Sequence, residues 1–432
     1  MSETSTTSET PTMSETSTTS ETPTMSETST TSETPTMSET TFPPLPMRRT
    51  ALLDPPAEYA LLREQSQLSR VALWGGNTPW LVTRHEDARA VLADARFSSD
   101  NRREGFPGLQ PTPPPPTPGQ LFAMDAPDHT RLRRLLIPDF TFRRAEELRP
   151  TIQQLTDRLI DDLLTKGPDV DLVEHFTLPL PLLVICELLG VPYTDREFIH
   201  RHAAAFATVT DGPEAMRAGW GALFGYLMEL LAAKTADPGD DLLSRLASER
   251  VATGEATPAE AAGLAVMLLI AGHETTASML SLGAVTLLSH PTQLAALQAD
   301  PELVPGAIEE LLRYLTVVHI GIRRVATQDV EIGGVTVRAG EGVVVSLQAA
   351  NRDPRAYADP DTFDITRDTQ HHLTFGHGLH NCLGQALARA ELQIALPTLF
   401  RRLPTLRLTA PAEANSHEGR AVHGVSGLPV TW

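Results

Sequence analysis

The stretch Phe375-Gly376-His377-Gly378-Leu379-His380-Asn381-Cys382-Leu383-Gly384 sets one cysteine and two histidines among three glycines, and a helical run through Ala386, Leu387, Ala388 and Arg389 follows at once. A sulfur on such a turn has backbone N–H groups and the positive end of a helix beside it, which favour the thiolate. The chemistry open to it is metal ligation or nucleophilic attack.

A second reactive set lies in Ala271-Gly272-His273-Glu274-Thr275-Thr276, whose flanks include Met267, Leu268, Leu269 and Ile270. A buried carboxylate without a partner costs several kcal/mol, and a mid-helix glycine about 1 kcal/mol relative to alanine. Threonine hydroxyls that bond back to carbonyls one turn earlier bend a helix and open space beside its backbone. The combination predicts a proton-delivery site in preference to an incidental kink. Glu310 and Arg313, three apart, and His129 and Arg133, four apart, each share a helix face. The first pair can close an internal ion pair. The second suits a carboxylate-bearing ligand, although a solvated face is the default for such a pair.

These groups need elements to hold them. Thr257-Pro258-Ala259-Glu260 combines an N-cap hydroxyl, a proline at N1 and a glutamate at N3, and His290-Pro291 ends the run. At ~1.5 Å per residue the helix is a rod of roughly 48 Å, apolar nearly all round and therefore central. Helices are predicted upstream over 128–137, 143–165, 179–189, 194–209, 213–234 and 239–249, and downstream over 304–315 and from the cysteine to about Phe400. Val71–Trp74 and Trp80–Thr83 read as a hairpin about a Gly-Asn turn. Small strands are expected at 331–332, 335–338 and 343–347, with a strand pair closing the chain. The fold class is mainly α with small β-sheets. The proline-rich segment between Phe97 and Gln120 must be extended, either as the wall of a binding site or as a surface excursion.

Composition narrows the function. Residues 1–41 repeat Met-Ser-Glu-Thr-Ser-Thr-Thr-Ser-Glu-Thr-Pro-Thr three times and begin a fourth copy. With no aliphatic core residues beyond methionine, they are expected to be a disordered tail, leaving 42–432 as one catalytic domain. The formal charge of −19 includes seven glutamates in that tail, so the body is acidic too and no nucleic-acid partner is expected. Two cysteines, Cys186 and Cys382, give no disulfide framework and suit a reducing compartment. The chain start carries no secretory pattern, and the polar Gly272–Thr276 segment interrupts the most apolar run. No membrane span and a cytoplasmic location are expected.

Four stretches together resemble the bacterial cytochromes P450 of the actinomycete type, from about Leu62 to the end of the chain. Residues 375–389 match that family's Phe-Gly-x-Gly-x-His-x-Cys-x-Gly signature with its Leu-Ala-Arg continuation. Ala271-Gly272-x-Glu274-Thr275-Thr276 matches its oxygen-activation motif, and Glu310-x-x-Arg313 its Glu-x-x-Arg motif. Pro360-Asp361-Thr362-Phe363 departs from Pro-Glu-Arg-Phe at its two middle positions.

The resemblance implies a haem-thiolate monooxygenase fold with a long central helix and haem b (iron protoporphyrin IX) as cofactor. It makes Cys382 the metal ligand and Glu274 and Thr275 the catalytic pair that delivers protons through ordered water. Phe375, Gly376, Gly384, Ala271 and Gly272 would pack on the haem, and His129, Arg133, Arg324 and His380 would bind its propionates, with Arg323 pointing elsewhere. Glu310 and Arg313 would be structural, with Arg352 as a third member. Met267, Leu268, Ile270, Ala271, Val317, Val318, Ile320, Val425 and the 98–120 loop would form the substrate pocket. The implied reaction is O2-dependent hydroxylation or epoxidation of a lipophilic small molecule, a secondary metabolite or xenobiotic, by a monomer. Electrons would come from a ferredoxin and its NAD(P)H-dependent reductase, with Arg131, Arg134, Arg389, Arg401 and Arg402 as a docking patch. Neither a ligand-sensing haem protein nor peroxide-driven chemistry would need the acid-alcohol pair.

Overall fold

The capping box is formed as its residues predict: the Thr257 hydroxyl accepts from the Glu260 amide at 3.2 Å, and the Glu260 carboxylate accepts from the Thr257 amide at 2.8 Å. The computed structural model describes residues 42–73, 76–109, 116–207, 212–416 and 420–432, so the repeat tract at 1–41 lies outside the described residues. Phe42–Trp432 forms one compact unit.

Helices α1 (Glu58–Gln65) and α2 (His85–Ala93) precede α3 (Asp128–Leu136), α4 (Phe142–Lys166), α5 (Pro179–Leu189), α6 (Arg196–Ala207), α7 (Gly212–Ala236) and the short α8 (Leu242–Arg245), which continues as a wider turn over Leu246–Val251. The central rod is α9 (Pro258–Ser289), packed on α5, α7, α11 (Val304–Leu315) and α13 (Gln385–Arg402). Between them, α10 (Pro291–Ala299) is a helix the sequence reading lacks. Pro291 does not only close α9; it stands at N1 of the next helix, where a missing N–H costs nothing. The short α12 (Leu347–Ala350) follows the sheet.

By hydropathy α9 is long and apolar enough to cross a bilayer, despite the polar interruption noted in its sequence, but 78% of its most apolar window is buried inside the protein. Burial in the core is therefore what its apolar surface serves.

Strand β1 (Pro44–Leu45) pairs in parallel with β3 (Ala72–Leu73). The main sheet runs β2 (Leu68–Arg70), β4 (Trp80–Val82), β10 (Gly342–Val345), β7 (Ile322–Ala326), β5 (Phe97–Ser98). The expected hairpin is present, with Val71 and Leu73 amides donating to Pro79 and Asn77 carbonyls, although its regular ladder joins β2 to β4, and Trp74 and Gly75 lie outside the described residues. The closing pair is β11 (Arg407–Leu408) and β12 (Pro429–Thr431), β12 also pairs with β6 (Val170–Asp171), and β8 (Val330–Ile332) pairs with β9 (Val335–Val337).

Strand β7 was not legible, because Ile-Arg-Arg-Val-Ala carries no clean alternation. Its register matters: Arg324 stands opposite Val343 and Arg323 opposite Val344. Directly opposed residues share a face, so the two arginines project to opposite sides of the sheet. Val343 joins the core beneath α2, and Val344 the core that holds Leu45, Tyr59 and Leu73.

Candidate active site

One cavity of about 510 Å³ lies between the cysteine loop and α9. Its α9 wall includes Met267, Leu268, Ala271, Gly272, Thr275, Thr276 and Met279, and Phe375, Gly376, His380, Cys382 and Gly384 lie on the opposing wall. Val317, Val318 and Ile320 line a third side together with Ala421 and Val422. Two expected pocket residues are elsewhere. Ile270 is absent from the lining, because two and three residues away the helix has turned its 267–268–271–275 face past it. Val425 is buried in the core and bridged to Ser416, and the adjacent Ala421 and Val422 take the wall position. The long loop after Phe97 contributes Ser99, Asn101 and Phe106 to the wall; residues 110–115 of it lie outside the described residues.

The cysteine turn is tied by the Cys382 amide donating to the Phe375 carbonyl at 2.8 Å, with positive φ at Gly376 and Gly378. A Cβ at Gly378 would come within 2.4 Å of the Leu92 carbonyl, so α2 fixes that turn. Burial pushes the Cys382 thiol up, against the Gly384 N–H and the charges of Arg133 and Arg389. The sulfur itself is exposed to the cavity, and a cation bound to it there would favour the thiolate.

The His129 and His380 rings meet with centroids 4.0 Å apart at a tilt of 42°. Burial first, then neighbouring Arg133 and Arg324, hold their pKa values down at about 4 and about 3. Both ring nitrogens of His129 are buried without a partner, whereas His380 Nε2 meets the Ser99 hydroxyl at 3.0 Å. Arg133 donates to the Asn381 carbonyl at 2.6 Å, and burial lowers Arg324 to about 10. Four donors with unmet capacity at the edge of an apolar slot, opposite a free sulfur, fit a planar group carrying carboxylates. A haem satisfies each of these features.

The α9 groups divide. Thr275 donates to the Ala271 carbonyl at 2.7 Å and faces the cavity. Glu274 follows the next helix face and does not line the cavity. It is 8% exposed, burial raises its pKa, and its carboxylate lies 3.5 Å from the Arg420 guanidinium, which opposes that rise. His273 donates to or accepts from no cavity group; its Nε2 meets the Leu178 carbonyl, and burial depresses it to about 3.

Glu310 and Arg313 are fully buried and bidentate at 2.7 and 2.8 Å, with Arg313 also donating to the Asn351 and Pro360 carbonyls. The third member is Arg367, at 3.2 Å from Glu310, and not Arg352. Arg352 instead reaches Asp361 at 2.8 Å and stacks on Tyr314, so one of the departures from Pro-Glu-Arg-Phe still supplies a carboxylate partner. Cys186 is a buried core thiol raised to about 12.

Sequence reasoning missed three charged groups. Glu391 lines the cavity on α13, is buried with one carboxylate oxygen unpartnered, and is pushed well above the ordinary range by burial. Its position among Leu387, Leu392 and Ile394 was the available signal. Arg420 and Arg367 gave none. On the outer side of the cysteine, a cleft of about 410 Å³ is lined by Arg133, Ile137, Phe140, Phe142 and Arg389. The expected docking patch is largely paired internally: Arg131 with Glu260, Arg389 with Glu309, and Arg402 with Asp157 and Asp161.

A cytochrome P450 family profile matches residues 228–409. Cytochrome P450-SU2 of Streptomyces griseolus is 46% identical over 390 residues, covering 88% of this chain and 94% of the relative. Pentalenic acid synthase of Streptomyces avermitilis is 47% identical, covering 90% and 96%. The crystal structure of GfsF superposes with a TM-score of 0.84 at 45% identity, covering 90% of this chain and all of that one.

Proposed function

The chain belongs to the cytochrome P450 family, and from that premise we propose that this P450 monooxygenase hydroxylates or epoxidises a lipophilic secondary metabolite or xenobiotic using O2. The observation that carries the reading is one cavity with the Cys382 sulfur on one wall, the Thr275 hydroxyl on the other and, at its edge, four His and Arg side chains able to donate to carboxylates.

The proposed cofactor is haem b, which when bound supplies the iron that activates O2. Cys382 is its ligand, with the Gly384 N–H and Arg133 moderating the sulfur's charge. His129, Arg133, Arg324 and His380 hold the propionates, and Phe375, Gly376, Gly384, Ala271 and Gly272 form the faces of the slot. Thr275 holds a proton at its hydroxyl for delivery across the cavity, and Glu274 replenishes it through water once its carboxylate leaves Arg420. Met267, Leu268, Val317, Val318 and Ile320 exclude water and present an apolar surface to the substrate. Residues 42–432 act as the catalytic domain in the cytoplasm, as a monomer.

Electrons come from a ferredoxin and its NAD(P)H-dependent reductase, docking over the cleft outside Cys382. Phe142 there is 74% exposed, and Ile137 is also exposed. With three of the five candidate arginines already paired, apolar contact carries more of that docking than charge. The test is turnover of the haem-loaded chain with ferredoxin, reductase and NADPH under isotopically labelled O2. One labelled oxygen per product, in proportion to NADPH consumed, is expected. Product formed only from added peroxide, or none with any lipophilic panel member, would overturn it.

A further inference from the structure

Of the three arginines that line the cavity, Arg323 is the one that the proposed machinery leaves without a task. It lines the cavity, and among the described residues no carboxylate lies within 4 Å of it. Its contacts are the Pro107 carbonyl, 3.5 Å from one terminal nitrogen, and the Phe106 ring, whose centroid is 5.7 Å from the guanidinium carbon. A guanidinium carries five N–H donors and no acceptor, so most of its hydrogen-bonding capacity is unspent. Buried guanidinium groups elsewhere in the core have an acid: Arg313 has Glu310, Arg352 has Asp361, and Arg63 has Asp353 as well as the Ala349 carbonyl. Desolvation alone lowers Arg323, to about 10, with no charge compensating it, whereas Asp125 partly offsets the same penalty at Arg324.

Nor does Arg323 belong with the propionate donors. The strand register sends it to the Val344 side of the sheet, opposite Arg324. His129 and His380 feel the charges of Arg133 and Arg324 but not that of Arg323. It sits instead under the loop that supplies Phe106 to the cavity. A half-buried cation with open donors on an apolar wall is poorly compensated unless an anion meets it.

We infer that Arg323 is a specificity-determining residue that anchors a carboxylate of the substrate, so that the chain selects lipophilic monocarboxylic acids over their neutral esters. Phe106 would cover the anion, and the apolar α9 wall would take the hydrocarbon. This deepens the monooxygenase reading and rests on it.

The test uses the haem-loaded full chain and matched probes, straight-chain saturated acids from octanoic to palmitic and their methyl esters, titrated by the substrate-induced spin-state shift. The acids are expected to bind about tenfold tighter than the esters, as a charge-assisted bond supplies. Arg323→Leu should bring the two within about twofold, and Arg323→Lys should keep part of the preference. Haem content and the carbon monoxide spectrum should be unchanged in both variants. Equal binding of acids and esters by the wild type, no shift with any acid, or a preference that survives in Arg323→Leu would overturn the inference. So would loss of haem in Arg323→Leu, with Arg323→Lys restoring it, since Arg323 would then serve the propionates. A wild-type chain without a thiolate-type carbon monoxide spectrum would instead overturn the monooxygenase reading itself.

Discussion

The Glu274 carboxylate lies 3.5 Å from the Arg420 guanidinium, which joins the acid on the central helix to the segment that lines the cavity with Ala421 and Val422. The His319 amide donates to the Ala421 carbonyl and the His423 amide to the Val317 carbonyl, so the backbone beside Arg420 is strapped to a second cavity wall. The residue that balances the acid is therefore next in sequence to a segment that lines the cavity.

Removing that guanidinium tests the ion pair thermodynamically. Burial raises Glu274 and Arg420 opposes it, so Arg420→Met raises the carboxyl further. A carboxyl whose folded pKa exceeds its unfolded value costs stability once the pH passes the unfolded value. The variant should lose about 2 kcal/mol at neutral pH, less than a fully buried pair because Arg420 is partly exposed. The loss should shrink as the pH falls toward the ordinary carboxylate range. Denaturant unfolding across pH measures this, and Glu274→Gln in the same chain should cancel most of it.

Thr275 brings a hydroxyl to the cavity wall on the central helix. Thr275→Ala should leave NADPH consumption largely intact and cut product per NADPH by about tenfold or more, with peroxide released instead. Thr275→Ser should recover much of the coupling. Simultaneous measurement of NADPH, peroxide and product decides the matter, and tight coupling in Thr275→Ala would remove Thr275 from proton delivery.

Glu310 and Arg313 are both fully buried. Breaking the pair by Glu310→Ala should cost about 3–5 kcal/mol, because Arg313 is left charged and unpaired. Arg313→Lys should cost nearly as much, since one ammonium cannot serve Glu310, Asn351 and Pro360 together. Urea denaturation and haem retention report both.

The loop after Phe97 meets α9 through two glycines. A Cβ on Gly263 would stand 2.0 Å from the Pro118 carbonyl, and Gly119, at φ +75°, faces the Leu264 amide. Gly263→Ala should cost about 1–3 kcal/mol and loosen the loop that carries Phe106. Calorimetry gives the first effect, and weaker spin-shift titration with an otherwise normal carbon monoxide spectrum gives the second.

Much of this was legible where chemistry and geometry are local in the chain. The glycine turn around Cys382, the capping box at Thr257 and the 310–313 pair each depend on neighbours within a few residues, so residue types alone specify them. The helix face at 267, 268, 271 and 275 follows from 3.6-residue periodicity. What stayed hidden is long-range. Arg420 reaches Glu274 from the far end of the chain, Arg367 replaces Arg352 at Glu310, and Val425 yields the wall to Ala421 and Val422. Those choices follow from tertiary packing and leave no periodic signature. Pro291 misled for another reason, since one residue both ends a helix and begins the next.

The account rests most heavily on the Cys382 sulfur as the haem ligand. The carbon monoxide difference spectrum of the reduced, haem-loaded chain tests it directly. Wild type should show the long-wavelength Soret band of thiolate-ligated haem, and Cys382→Ser should lack it. An imidazole-type band in the wild type, or the thiolate band persisting in Cys382→Ser, would contradict it.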